Sequence, residues 1–267
     1  MKESARPLIW FQHFHKAGGT SLIELAKHNG EALFPNSRNG NPFDKSGFPI
    51  RIWEYSEREM HNFIDYCINN GVSLIATEFG CPSFESIRKR NDTISISLLR
   101  DPVKRIISNY EYALILGAIP QVSLSSYIRM SHLDHARPNY YSHMLSMHAG
   151  YGFDDTERFR IAKKNLMSID HVYKLEDEQA LPDLCVKLGW KFQQSTANRK
   201  PTLGQAAWQA FRMRKPSRLT RRAWLEYIYR RQDYDTAISE FQDRNNMDQE
   251  LYKNLELIRA EDSARCG

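Results

Sequence analysis

The feature that most constrains this chain is a run of strand-forming residues that meets a pair of glycines and continues as a helix. Leu8-Ile9-Trp10-Phe11-Gln12-His13-Phe14, bounded by Pro7 and by Gly18 and Gly19, reads as a buried strand. Leu22, Ile23, Leu25 and Ala26 then fall on one helical face, Thr20 or Ser21 can cap that helix, and Gly30 stands near its end. A strand that turns directly into a helix is the opening of a parallel βαβ unit. The rest of the chain is therefore expected to supply further parallel strands with helices on both faces.

The downstream pattern fits. Residues 35–50, rich in Pro, Asn and Gly, are expected to form a long loop, the kind that often has a binding role. Ser56–Asn70 patterns as a helix ended by Gly71, Val72–Thr77 as a second strand ending at Glu78, and Thr93–Leu99 as a third. After Asp101-Pro102 the apolar residues Val103, Ile106, Ile107, Tyr110 and Leu114 recur at i, i+3, i+4, i+7 and i+11, a helical stripe with proline in its favoured first turn. Helices over 155–168 and Glu178–Leu188 bracket a fourth strand, His171–Leu175, and Gly189 closes the second of them. Further helices are expected over Arg221–Phe241 and Met247–Ile258. The fold class expected is α/β, three layers (α/β/α) around a central, mostly parallel sheet with a helical C-terminal part, as one domain over 1–267 that includes 195–204 as a loop.

Composition excludes several classes. At 267 residues with 41% hydrophobic and 26% charged residues, the chain can bury a sizeable core, so disorder, collagen and coiled coil do not describe it. Its longest apolar runs, such as Leu8–Phe11 and Ala113–Leu116, fall far short of the roughly 20 residues that span a bilayer. The stretch after Pro7 is likewise too short for the core of a signal peptide, so neither a membrane association nor export is expected. Cys67, Cys81, Cys185 and Cys266 lie far apart without a CxxC pair and are expected to be reduced thiols. The net charge of +5 is concentrated between Arg199 and Arg231, which suggests an anionic ligand or partner.

Two motifs carry chemistry. His15-Lys16-Ala17-Gly18-Gly19-Thr20-Ser21 sits between the first strand and the first helix. Its glycines let the backbone approach an anion, toward which the helix aims free N–H groups and its positive dipole end. A tight turn with an incidental lysine is the plain alternative. Lys16 precedes the glycines, whereas in GxxxxGK[ST] the lysine follows them, so a Walker A motif is absent. In Leu98-Leu99-Arg100-Asp101-Pro102-Val103-Lys104-Arg105-Ile106-Ile107-Ser108, an arginine at a strand end and a serine two helix turns later can converge on one phosphate, with Asp101 capping the helix. A capped helix beside a surface arginine is the alternative there.

Together the two strings resemble the cofactor signatures of sulfotransferases that use 3′-phosphoadenosine 5′-phosphosulfate (PAPS), a P-loop-like fold. The similarity leans toward the carbohydrate branch that includes the heparan and uronyl 2-O-sulfotransferases. It continues weakly through Ala162–Leu166 to Trp190 and through Asn246–Tyr252. The resemblance implies that Lys16 stabilises the leaving 5′-phosphate and the sulfuryl group, and that Ala17, Gly18, Gly19, Thr20 and Ser21 hold the 5′-phosphosulfate. Arg100 and Ser108 would bind the 3′-phosphate, Arg199 and Lys200 would add nucleotide contacts, and PAP would be the product. In-line sulfuryl transfer, like phosphoryl transfer, rests on positioning and on stabilising spread negative charge, so no metal is required. Glu78, expected at the carboxyl edge of the sheet, is the candidate base.

The histidines are the other candidates for that role. His13 alternates with His15, and one of the two is expected to be structural. His132, His135, His143 and His148 are expected to line the acceptor side or stay at the surface; His132 and His135 could mimic a metal pair, although neither an HExxH string nor a cysteine partner supports one. Tyr140 and Tyr141, near Arg137, suit stacking on a sugar or flat ring, or core packing. Two rival functions remain: a P-loop-type kinase or NTPase, which would need a lysine after the glycines and a magnesium aspartate, and a nucleic-acid binder built on the basic 199–231 stretch with Trp208, Phe211, Trp224 and Tyr227. The latter spacing also fits aromatics facing a core, and nucleic acid is not the expected partner. Because the first strand begins so early, without the anchor of Golgi relatives, the expectation is a cytoplasmic enzyme. Its acceptor would be a small molecule, such as a guanidinium alkaloid, or a glycan, and the accepting atom oxygen or nitrogen. Glu54, Glu57, Glu59 and Asp134 are the carboxylates available to a cationic acceptor.

Overall fold

The computed structural model describes residues 6–130, 134–193 and 233–256. Its centre is a four-stranded, fully parallel sheet built from β1 (Leu8–Gln12), β4 (Leu74–Thr77), β5 (Thr93–Leu99) and β6 (His171–Lys174), in the order β4-β1-β5-β6. Ile9 pairs with Leu74 on one side and Ile94 on the other, and Ile96 pairs with His171. Every residue of β1 is buried, as a central parallel strand covered on both faces requires.

Alternation along β1 sorts the core into two layers. Leu8 and Trp10 face a cluster with Met60, Phe63 and Ile64 of α2 (Glu57–Asn69), Phe84 and Ile87 of α3 (Phe84–Arg88), Tyr140, Tyr141 and Leu145 of α6 (Tyr140–Ser146), and Ala162 and Leu166 of α7 (Asp155–Met167). Ile9 and Phe11 face the other cluster, with Leu22, Ile23 and Ala26 of α1 (Gly19–His28) and Leu184 and Cys185 of α8 (Ala180–Leu188). A third cluster joins Ile106, Tyr110 and Leu114 of α4 (Pro102–Leu116), Leu124 and Ile128 of α5 (Leu124–Ile128), and Ala237 and Phe241 of a further helix, α9 (Asp233–Arg244). The last described helix is α10 (Asn246–Lys253). The three-layer α/β class expected from sequence is the observed one. Among the described residues, no helix is long and apolar enough to cross a membrane.

Several local expectations need correction. The first helix is capped by neither Thr20 nor Ser21: Gly18, at φ 85°, occupies the cap, and its carbonyl accepts from the amides of Ser21 and Leu22. A left-handed glycine lets the chain reverse into helix at once, which brings the glycine pair into the first turn itself. Residues 35–50 contain a short hairpin, β2 (Ser37–Arg38) with β3 (Asn41–Pro42), and Gly40 O accepts from Ala76 N, so the segment seals the β4 edge. The expected strand at Val72 starts at Leu74, and α3, α5 and α6 were not apparent as separate helices. Cys67, Cys81 and Cys185 are free, buried thiols, and burial pushes that of Cys67 up to about 12.

Candidate functional site

The strand order places the site. From β1 the chain steps outward to β4 and then returns to the other side of β1 with β5, so the connections diverge at β1, where open α/β sheets bind ligands beyond the carboxyl ends of their strands. The residues after β1 are His13–Gly18, Glu78 follows β4, Arg100 follows β5, and Leu175 and Glu176 follow β6. Both motifs and the candidate base thus emerge on one edge. The strand ends are locked together: Gln12 Nε2 donates to Thr77 O (2.9 Å), Thr77 Oγ1 donates to Gln12 Oε1 (2.9 Å), and Ser97 Oγ donates to Gln12 O (2.9 Å).

The turn after β1 presents unpaired backbone donors. Ala17 N donates to Phe14 O, while the amides of Gly18, Gly19 and Thr20 have no acceptor among the described residues. Those groups crown the N-terminus of α1, where the dipole favours negative charge. Gly19 is required for space, because a Cβ there would lie 2.0 Å from Cδ2 and Nε2 of His13. Gly18 is bounded similarly, with Leu175 Cδ1 2.7 Å from a Cβ at that position. Lys16 is held at φ 64°, unusual for a residue with a side chain. The carbonyl of this residue accepts from Arg100 Nη1 (3.2 Å), so the second motif supports the first.

Lys16 and Arg100 form a cationic pair at this turn. Burial, then the charge of Arg100, lowers the Lys16 amine from its usual value, against the pull of Glu111 and Glu78. Two cations held this close repel unless an anion lies between them. The Lys16 ammonium lies 4.2 Å from the centroid of the Tyr112 ring. Ser108, half-buried on α4, precedes Tyr112 by one helical turn and shares its face. Asp101 caps α4 by accepting from Lys104 N (2.9 Å), as expected. Glu176 accepts from Asp101 N (3.1 Å) and from Tyr252 Oη (2.7 Å), and lies 3.9 Å from Arg100 Nε.

Glu78 sits beside these cations among histidines. Its amide donates to Asn41 Oδ1 (2.6 Å), its Oε1 lies 2.8 Å from His15 Nδ1, and its Oε2 lies 3.5 Å from His13 Nδ1. Burial works to raise the Glu78 carboxyl, but the His15 hydrogen bond and the charges of His13, His15 and His135 outweigh it and hold it below the usual carboxylate range. Burial also lowers His13, which is stacked on Phe11 and whose Nδ1 makes no hydrogen bond among the described residues. His15 stacks on His135, with centroids 4.1 Å apart and planes 16° apart, and meets the edge of Tyr112 at 5.8 Å. Both histidines of the alternating pair therefore face Glu78.

Of the two readings open for Tyr140 and Tyr141, core packing is the observed one, and their hydroxyls hold this edge together. Tyr140 and Tyr141 are buried props rather than a stacking platform. Tyr140 Oη accepts from His15 N (3.2 Å), while Tyr141 Oη accepts from Arg100 N (3.1 Å) and donates to Arg100 O (2.8 Å). One dipeptide on α6 thus grips both motif turns. Asp248 of α10 in turn grips α6, accepting from Tyr141 N (2.7 Å), Ser142 N (2.9 Å) and Ser142 Oγ (2.9 Å). Arg105, fully buried, lies 4.0 Å from the Tyr140 centroid and donates to His135 O (3.1 Å). Periodicity gave no signal for it: Arg105 stands on the face of α4 opposite the Val103–Leu114 stripe, buried beside Asn109 one turn on.

Other candidates fall elsewhere. Arg199, Lys200, His132, Cys266 and the whole basic stretch lie outside the described residues. Burial, then Arg158 and Arg137, pushes His143 down to about 4, and His148 lies 3.2 Å from Asn165 Nδ2. Glu54 pairs with Arg51, Glu57 with Lys89, and Glu59 accepts from Ser56 in a capping box, so these carboxylates are engaged locally. Among the described residues, no group of three or more His, Cys, Asp and Glu side chains is disposed to hold a metal ion.

No protein-family model and no curated protein matches the chain. Among solved structures, a sulfotransferase from Alicyclobacillus acidocaldarius is similar in overall shape, at 18% identity and a TM-score of 0.42, over 86% of this chain and 98% of that one. A likeness this remote says nothing of what the present chain binds or transforms. Fold and site by themselves define an α/β protein whose β1 turn brings acceptor-free amides and two cations beside a carboxylate–imidazole cluster.

Proposed function

We propose that the chain is a PAPS-dependent sulfotransferase. The observation that carries this reading is the convergence, on one sheet edge, of the acceptor-free amides of Gly18–Thr20, the paired cations Lys16 and Arg100, and the carboxylate–imidazole cluster at Glu78. An anionic donor fits the first two, and an acceptor that must lose a proton fits the third. The donor supplies a sulfuryl group already bonded to a phosphate leaving group.

In this reading the amides and hydroxyls of Gly18, Gly19, Thr20 and Ser21, with Ala17 behind them, hold the 5′-phosphosulfate. Lys16 neutralises charge on the leaving phosphate, and Arg100 with Ser108 holds the 3′-phosphate, joined by Arg199 and Lys200. Glu78 and its histidines form the basic centre, facing a hydroxyl or amine of a small molecule or carbohydrate. The half-exposed ring of Tyr112, against the Lys16 ammonium and edge-on to His15, suits a ring-bearing acceptor. PAP leaves as the second product, and no metal takes part in this scheme.

The test is release of PAP from PAPS by the full chain, with phenols, amino alcohols and oligosaccharides offered as acceptors. Turnover above the buffer rate that disappears in Lys16→Ala is expected. PAPS consumed no faster than in buffer would contradict the reading.

A further inference from the structure

We propose that His15, through Nε2, is the group that takes the acceptor's proton, and that Glu78 is its positioning residue at Nδ1. This rests on the sulfuryl-transfer reading above and divides the roles within its basic centre.

The geometry favours the ring over the carboxylate. An ionised carboxylate only accepts hydrogen bonds, so the 2.8 Å contact from His15 Nδ1 to Glu78 Oε1 places a proton on Nδ1, and in the neutral ring Nε2 then carries the lone pair. Glu78 has little freedom to act directly: one oxygen is on His15, the other faces His13 at 3.5 Å, and its amide is tied to Asn41. The neighbouring imidazoles hold its carboxyl below the usual carboxylate range, against the burial that would raise it, which leaves it a weak base. His15 is clamped by His135 stacked at 4.1 Å, by the Tyr112 edge at 5.8 Å, and by the Tyr140 hydroxyl on its own amide. A rigid ring whose tautomer is fixed by a half-buried carboxylate is the arrangement that lets an imidazole act as a base and then carry charge.

The placement matches the task. His15 directly precedes Lys16, so the group receiving the proton and the cation facing the leaving phosphate belong to one turn. As the acceptor oxygen forms its bond to sulfur, its proton passes to Nε2. The bond from sulfur to the 5′-phosphate oxygen breaks with its electron pair on that oxygen, opposite Lys16. The imidazolium is then balanced by Glu78. The charged or titratable groups facing the ring are Glu78 after β4, His13 and Lys16 on its own turn, His135 before α6, and Tyr112 on α4.

The test combines a readout free of turnover with a pH profile. Nitrogen-resolved NMR of the imidazole rings in the full chain at neutral pH should show His15 protonated at Nδ1 and bare at Nε2, with that preference lost in Glu78→Gln. A proton on Nε2 of His15 in the wild type would overturn the inference. In the pH dependence of PAP release, His15→Asn should lower the rate by about 10²–10⁴-fold and abolish the acid limb. Glu78→Gln should lower the rate but retain that limb. Loss of the limb in Glu78→Gln with its retention in His15→Asn would assign the proton to Glu78 instead. Calorimetry with PAP separates the two levels. His15→Asn should bind PAP within about threefold of wild type. A wild type that binds no PAP refutes the sulfuryl-transfer reading, whereas one that binds PAP but carries the wrong tautomer refutes only this assignment.

Discussion

Replacing Tyr141 by phenylalanine isolates the support that α6 gives to the second motif. The ring would keep its edge-on contact with Phe14 at 4.9 Å and its full burial, so the change is confined to the hydroxyl. That hydroxyl satisfies both the N–H and the C=O of Arg100, at 3.1 and 2.8 Å. Leaving two part-buried backbone groups without partners costs about 1–1.5 kcal/mol each, or about 2–3 kcal/mol together. For a chain of this size that corresponds to a fall in melting temperature of about 4–6 °C. Tyr140→Phe loses only the bond from His15 N and should cost about half as much. Because Arg100 rides on the freed peptide, PAP should also bind about tenfold more weakly to Tyr141→Phe, equivalent to about 1.4 kcal/mol. Thermal unfolding and calorimetry of the two variants check this. A Tyr141→Phe protein that melts with the wild type and binds PAP equally well would refute the claim that α6 holds the site.

Gly19→Ala should destabilise the protein by about 1–3 kcal/mol in urea titrations, because the new Cβ meets His13 at 2.0 Å and the usual helix gain of about 1 kcal/mol for replacing glycine cannot offset the overlap. A stabilised variant would show that His13 is free to move. Burial raises the Asp248 carboxyl to about 6, against hydrogen bonds from Tyr141 and Ser142 and the charge of Arg105. The native state keeps a proton that the unfolded chain releases near 3.8, so stability should fall as pH rises from about 4 to 6, by on the order of 3 kcal/mol. Subtracting the curve of Asp248→Asn should expose this slope, and a flat difference would contradict it. Lys16→Ala should retain the wild-type melting curve and lose nearly all transfer, whereas Arg100→Ala should weaken PAP binding most. Full activity in Lys16→Ala would refute the cradle.

What could be read from the sequence was local. The strand, the glycine pair and the helix after them are consecutive, as are Leu99, Arg100 and the Asp101-Pro102 helix start, so backbone preferences and apolar periodicity reveal them. Glu78 could be placed on the same edge because a parallel sheet directs every strand end to one side. The cap of α1 was misplaced because a left-handed glycine can begin a helix without a side-chain acceptor. The grip of Asp248 on Tyr141 spans 107 positions and that of Tyr141 on Arg100 spans 41, and no periodicity records such pairings. The His15–Glu78 contact spans 63. Helices as short as α3, α5 and α6 have too few turns to show a stripe, and they form because the core on which they pack already exists. Arg199 and Lys200, whose nucleotide contacts only the resemblance implies, lie outside the described residues.

The most direct test of the central claim is calorimetric titration of the full chain with adenosine 3′,5′-bisphosphate, beside AMP and ATP, in the absence of magnesium. Micromolar binding that requires the 3′-phosphate and is lost in Arg100→Ala is the expected result. No binding of the bisphosphate, or a preference for ATP that appears only with magnesium, would contradict the claim and favour a kinase.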